Sequence, residues 1–373
     1  MRLHLLPDEK IINRCISSFE SVFPGDNKYI VVPARVQNNG YVIEQNNVFF
    51  CKYGTREFWR EIGDVNQYTS IIIHFLFDER VDFVNKIKHP NIYWIEWGAD
   101  LYKSLLRPKG FPMYADKDII WKTEGKYKHK IFYLLHSLVS MKKLQWKTIR
   151  AAKKARYFVP DSMYNEYPLL LRYYPRLKHL EYRDFFYYPI DQILGERLLN
   201  AHCNGDNIIV GNSASASNNH EYVFEKLCSL GLNNHNVIVP LSYGNTKLYV
   251  DRIEQSGKSL LGDGFKAVRD YMPLEQYNDL LLSGNVFIYG SWRQEAVGNI
   301  LIALYLGGKV YLDKRNPLLP FYKSLGLTIF CLDELTLDEI STKLSPNVVG
   351  KNRSILLATY SLERQQRLIR ENF

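Results

Sequence analysis

Short apolar runs bounded by turn residues alternate with longer segments of helical period along nearly the whole chain, and this rhythm confines the fold to βα units around parallel sheets. In the first half the predicted strands are 2–6, 29–33, 48–53, 70–77, 91–97, 157–160 and a weaker one at 179–182, with helical patterns at 10–22 and 79–87. After Pro189 and a helix-like stretch at 192–202 the pattern restarts. Its second cycle places strands at 207–211, 236–240, 258–261, 285–289, 309–312 and 327–331, and helices at 220–230, 247–256, 274–283 and 298–306. The predicted architecture is α/β: two Rossmann-like, doubly wound domains, 1–190 and 191–355, facing a central cleft, with 356–373 as a terminal helical segment. A length of 373 residues suits two such cores better than one.

No window approaches the roughly 18 to 20 uninterrupted apolar residues of a spanning helix, and the start, Met1 to Asp8, is too soon acidic for a secretory signal. A cytoplasmic protein is expected. Cys15, Cys51, Cys203, Cys228 and Cys331 are widely separated, form no paired-cysteine motif and read as reduced thiols. The net charge of +9 asks for an anionic partner. Much of the charge falls in 116–156, where Lys122, Lys126, Lys130, Lys142 and Lys143 interleave with apolar residues and Trp146. Such interleaving suits a helix lying in an anionic membrane interface; a solvated basic face over ordinary core positions is the alternative. No zinc finger or RNA-recognition motif turns the charge towards nucleic acid.

Chemistry concentrates at predicted strand ends. The string Ser291 to Ile300 follows a strand and precedes an apolar helix, whose N-terminus is suited to a diphosphate. Gly298 permits close approach of phosphate to backbone, and Arg293 can pair with it as a fork, with Gln294, Glu295 and Asn299 beside them. A second junction, Gly211, Asn212, Ser213 and Ser215 leading to Asn219 and His220, is polar enough to hold an anion, and equally reads as a capped turn. A third runs from Pro240 to Tyr243, a ring able to stack on a base or to plug its loop. In the first half, Glu96, Trp97, Gly98, Asp100 and Tyr102 follow a very apolar strand. Asp100 or Glu96 is a candidate general base, Asp100 equally a helix cap, and His74 a strand-end histidine that more often serves the core. Asp116 and Asp118 have the spacing of a metal-binding pair but lie in the basic segment, so a reaction without metal or cofactor is expected.

These strings, in this order, resemble glycosyltransferase family 56, the TDP-4-acetamido-4,6-dideoxygalactose (TDP-N-acetylfucosamine) lipid II transferases of enterobacterial common antigen synthesis. The resemblance rests on Leu3-His4-Leu5, the strand ending in His74, Trp97 to Tyr102, Val210 to Ser213 with Asn219-His220, Val239-Pro240 with Tyr243, Arg293-Gln294 with Gly298, and Arg315-Asn316-Pro317. It implies a GT-B fold, a nucleotide-diphosphate sugar held by the second domain with Asn316 near it, and an acceptor on undecaprenyl diphosphate near Trp97, Gly98 and Tyr102. It also implies peripheral association of the first domain with the inner face of the cell membrane, and a final helix that crosses back to that domain. Glu295-Ala296 departs from the Gln-Gly of the family's best-known member and leaves the sugar open. A GT-B sugar-nucleotide epimerase and a basic binding module without catalysis are the rival expectations.

Overall fold

The computed structural model describes residues 1–32, 40–124, 129–161, 165–232 and 235–373, which divide into two compact units. The first comprises 1–111, 137–189 and 362–373; the second comprises 112–136 and 190–361.

In the first unit, strands β1 (Arg2–Leu6), β2 (Asn27–Val31), β3 (Val48–Phe50), β4 (Ser70–His74), β5 (Ile92–Glu96), β6 (Tyr157–Pro160) and β7 (Glu181–Tyr182) form a parallel sheet in the order β3-β2-β1-β4-β5-β6-β7. Every residue of β4 and β5 is buried, because helices cover both faces; this is why these strands read as continuous apolar runs rather than alternating ones. Registers of His74 with Ile95 and of Glu96 with Pro160 bring the carboxyl ends of β4, β5 and β6 level. The strand order reverses between β1 and β4, which opens a crevice at those ends. The helix Leu362–Asn372 packs on this unit beside the helix Ile12–Val22: Gln365 donates to Phe186 O and accepts from Ser18 Oγ.

In the second unit, β8 (Asn207–Val210), β9 (Val237–Pro240), β10 (Phe265–Val268), β11 (Gly284–Tyr289), β12 (Lys309–Leu312) and β13 (Phe330–Cys331) follow the same plan, β10-β9-β8-β11-β12-β13, all parallel. The strand expected at 258–261 is instead the last turn of the helix Lys247–Leu261, and β10 follows it. Gly257 explains the difference. It reads as a helix breaker, yet a Cβ there would stand 2.1 Å from the Phe265 ring, so glycine lets the helix lie against the strand that follows.

The basic segment departs from its expected place in the first domain. Residues 112–136 belong to the second unit because Ile119 is buried in that unit's core, Asn219 ties down Met113 O and Ala115 N, and Thr246 Oγ1 donates to Thr123 O. The helix Lys130–Ala152 begins in the second unit and continues in the first. No helix among the described residues is long and apolar enough to cross a membrane.

Candidate functional site

In the second unit the carboxyl ends of β8, β9, β11 and β12 converge on a polar cradle. β8 turns out at Gly211, φ +70°, where a Cβ would lie 2.9 Å from His220 Nε2; only glycine passes under that ring. The loop continues to Asn219, whose φ of 51° turns the chain into the helix His220–Ser229. Asn219 Nδ2 donates to Gly290 O at 3.0 Å and thereby ties the β8 loop to the β11 loop. Wholly buried His220 shares a 2.8 Å hydrogen bond between Nδ1 and Tyr249 Oη, and burial lowers its pKa to about 3, so it stays neutral. Asn316, also fully buried, donates to Ser291 O at 2.9 Å and accepts from Leu318 N at 3.0 Å. Asn219 and Asn316 therefore brace the cradle, a correction to the expectation that they face a ligand, whereas His220 keeps Nε2 without a partner.

Arg293 is the centre of the cradle. Its Nη2 lies 3.1 Å from Glu295 Oε1 and 3.2 Å from Ser217 Oγ, and Nη1 donates to Gln294 O at 2.7 Å. Ser217 in turn donates to Glu295 Oε2 at 2.6 Å, which spends its only proton, so the 2.8 Å contact with Ser215 has Ser215 as donor. Arg293 and Glu295 keep only 13% and 12% of their surface exposed. Directly after them the helix Val297–Leu306 starts with Ala296 at φ 62° and no side-chain cap, so Gly298 and Asn299 lie in a first turn whose backbone N–H groups no side chain takes up. Asn299 Oδ1 accepts from Tyr277 Oη, and Asn212 Nδ2 donates to Tyr243 Oη at 3.3 Å, the Tyr243 ring being 59% exposed. Buried Pro240 and Ser213 complete the floor.

Among the sealed atoms of this cradle without a partner are Arg293 Nε, a donor, Asn212 Oδ1 and Asn218 Oδ1, both acceptors, and His220 Nε2. Each such group costs about 1–3 kcal/mol until something satisfies it. An oxyanion for the arginine together with hydroxyls for the carboxamides would do so. Ser217 and Asn218 join the site beyond the residues its sequence predicts; the run of serines and asparagines is visible there, but which of them face inward depends on the short 3-10 turn Ala216–Asn218.

In the first unit, none of the three candidate bases has exposed surface. Asp100 accepts from Trp94 Nε1 at 2.7 Å and Leu76 N at 3.0 Å on Oδ2, and from Trp97 N at 2.9 Å on Oδ1. It is a strut between the ends of β4 and β5 rather than a carboxylate standing open at the edge of its domain. His74 belongs to a buried string as well. Asn27 Oδ1 accepts from His4 Nε2 at 3.2 Å, so His4 Nδ1 accepts from His74 Nε2 at 3.0 Å, and Tyr187 donates to His74 Nδ1. Burial lowers the pKa of both rings, that of His4 to about 3. Glu96 differs: Oε1 accepts from Gly98 N, while Oε2 has no partner. Burial first, then repulsion from Glu166 and Asp100, holds Glu96 well above the ordinary carboxylate range; burial also pushes Glu166 up to about 7. Glu166 carried no sequence signal, since it enters from a helix seventy residues along the chain from Glu96. Trp97 is half-buried at the same edge, and Tyr102 is fully buried against Phe111.

The model of the family described as 4-alpha-L-fucosyltransferase, glycosyl transferase group 56, matches residues 120–345. The chain belongs to this family. Group 56 membership makes it a glycosyltransferase, and the matched residues include the whole Arg293 cradle. Solved structures agree on the fold. The sucrose-phosphate synthase of Thermosynechococcus elongatus aligns with TM-score 0.65 at 12% identity, over 99% of this chain and 97% of that one. Anabaena Alr3699/HepE, solved in complex with UDP and glucose, aligns with TM-score 0.62 at 9% identity, over 100% of this chain and 98% of its own. These likenesses place the group 56 chain in the GT-B fold, with two Rossmann-like domains.

Proposed function

We propose that this group 56 glycosyltransferase moves an amino-deoxy sugar from a nucleotide diphosphate, TDP-linked by preference, to an undecaprenyl-diphosphate-linked oligosaccharide in bacterial surface polysaccharide synthesis. The observation that carries this reading is the Arg293 node: a half-buried guanidinium with one unsatisfied nitrogen, at the uncapped start of the helix Val297–Leu306. The donor diphosphate takes the place of Glu295 on Arg293 and rests on the first N–H groups of the helix, where the charge of the departing nucleotide is neutralised. The Anabaena protein, which shares the fold, binds UDP, and the family description names a fucosyl, hence 6-deoxy, sugar.

Two further elements support the reading. Proton removal from the acceptor falls to Glu96, whose Oε2 has no hydrogen-bond partner, rather than to the fully engaged Asp100. The helix Lys130–Ala152 suits the inner face of the membrane, since it leaves Ile131, Phe132, Leu135, Val139 and Trp146 57–68% exposed among lysines. Lys126 lies outside the described residues; Lys142 and Lys143 sit on the helix, both exposed, while Lys130 is bonded to Asp118 and Lys122 to Asp116. The reading invokes neither metal nor cofactor.

Arg293→Ala tests the core of it. Turnover of the nucleotide sugar should fall by at least about a hundredfold in protein that remains folded; a normal rate in a folded protein contradicts the assignment.

A further inference from the structure

Arg80 stands at the carboxyl edge of the first domain's sheet, on the first turn of the helix Glu79–Lys86 that follows β4. It is 4% exposed, Nε donates to Phe75 O at 2.8 Å, and the guanidinium lies 5.4 Å from the Phe75 ring centroid. The two terminal nitrogens are not sealed from solvent, and neither has a hydrogen-bond or ion-pair partner among the described residues. Burial lowers the pKa of this guanidinium, while Asp78, Glu79, Asp100 and Glu9 favour the charged form from longer range without pairing with it. A guanidinium so enclosed normally carries a carboxylate on its fork, because an unpaired buried charge is expensive.

The chain is bent to hold this arrangement. Phe75 has φ +67° and Asp78 has φ 48°, ψ −129°, conformations that cost a bulky or branched residue about 1–3 kcal/mol each and persist only where neighbours dictate them. Asp100 pins Leu76 N from one side and Arg80 pins Phe75 O from the other. The turn so fixed stacks Phe75 on Phe77 at 5.1 Å and 7°, and on Trp97 at 5.6 Å and 17°, with all three rings half-buried. A guanidinium fork beside an aromatic wall matches a saccharide that carries an oxyanion: the charge meets two parallel N–H groups and the C–H face meets the rings.

We propose that Arg80 is the anchor for an oxyanion of the acceptor, with Phe75, Phe77 and Trp97 as the wall beside it. This rests on the reading of the chain as a transferase with an acceptor held by its first domain, and it supplies a contact for that acceptor. The oxyanion has two possible sources, a phosphate of the acceptor's linkage or a carboxylate on one of its sugars.

Calorimetric titration of the full chain with pyrophosphate, with D-glucuronate and with neutral D-glucose separates them. The Arg293→Ala protein, in which the donor cradle is disabled, should still bind one of the two anions and not glucose; Arg80→Gln should weaken that binding by at least about tenfold, and Arg80→Lys should restore only part of it because lysine lacks the planar fork. Pyrophosphate as the ligand assigns the phosphate, glucuronate the carboxylate. Acceptor-free hydrolysis of the nucleotide sugar by the wild-type chain reads the second domain separately. Loss of hydrolysis in the wild type with the anion still bound at Arg80 would count against the transferase reading and leave this site standing. Unchanged binding of both anions in Arg80→Gln overturns the proposal. Should Arg80→Gln fail to fold, hydrogen exchange on the wild-type chain decides instead: residues 75–80 become protected with the bound anion, or show no change and the site is wrong.

Discussion

Asp100 shows what a single residue can hide. Its place after an apolar strand is legible in the sequence, and so is the chemistry of a carboxylate there, but its function depends on donors from Trp94 and from Leu76, which lies 24 residues upstream. In Asp100→Asn one oxygen becomes an NH2 group that faces N–H donors, so one or two buried bonds are lost. The protein should lose about 2–3 kcal/mol of stability in urea denaturation, while any activity left per folded molecule stays near normal; a stable protein without turnover would restore Asp100 as the base. Glu166 gives a pH test. The unfolded chain releases this proton from about pH 4.5, whereas the folded chain holds it to about 7, so stability declines as pH rises through that window. Glu166→Gln should therefore raise the melting temperature at pH 8, by the equivalent of up to about 3 kcal/mol, and leave it unchanged at pH 4. The buried histidines act in the opposite sense. Unfolded His4 and His220 bind protons from about pH 6.5 downward and the folded rings only near 3, so stability falls as pH drops below 6.5.

Among the elements, the strands of both sheets were legible because burial on two faces writes continuous apolar runs. The exceptions came where one residue serves a neighbour rather than its own element: Gly257 makes room for Phe265, and Ile119 carries the basic segment into the second unit's core. The helix Lys130–Ala152 is the element whose sequence and structure make the same unusual statement. Its large apolar side chains stay outside any core, and the lysines beside them supply the charge that an anionic bilayer attracts. The chain should sediment with vesicles of phosphatidylglycerol and phosphatidylethanolamine, and much less with phosphatidylcholine alone. Replacing Ile131, Phe132, Leu135 and Val139 by serine should release at least about nine-tenths of it, and retention by the vesicles would reject the helix as the docking element.

For the whole molecule, the βα rhythm and the restart after Pro189 already state two Rossmann-like domains, and group 56 membership turns them into a glycosyltransferase. What no periodicity states is which polar side chains are left unsatisfied after folding, and those mark the site. The central claim is that the donor's diphosphate lies on Arg293 and the start of the helix Val297–Leu306. Hydrogen exchange of the full chain with and without TDP measures this directly. Protection concentrated in residues 291–300 and in the 212–219 loop, and absent in Arg293→Ala, is the predicted result; TDP that binds while those two segments exchange unchanged would contradict it.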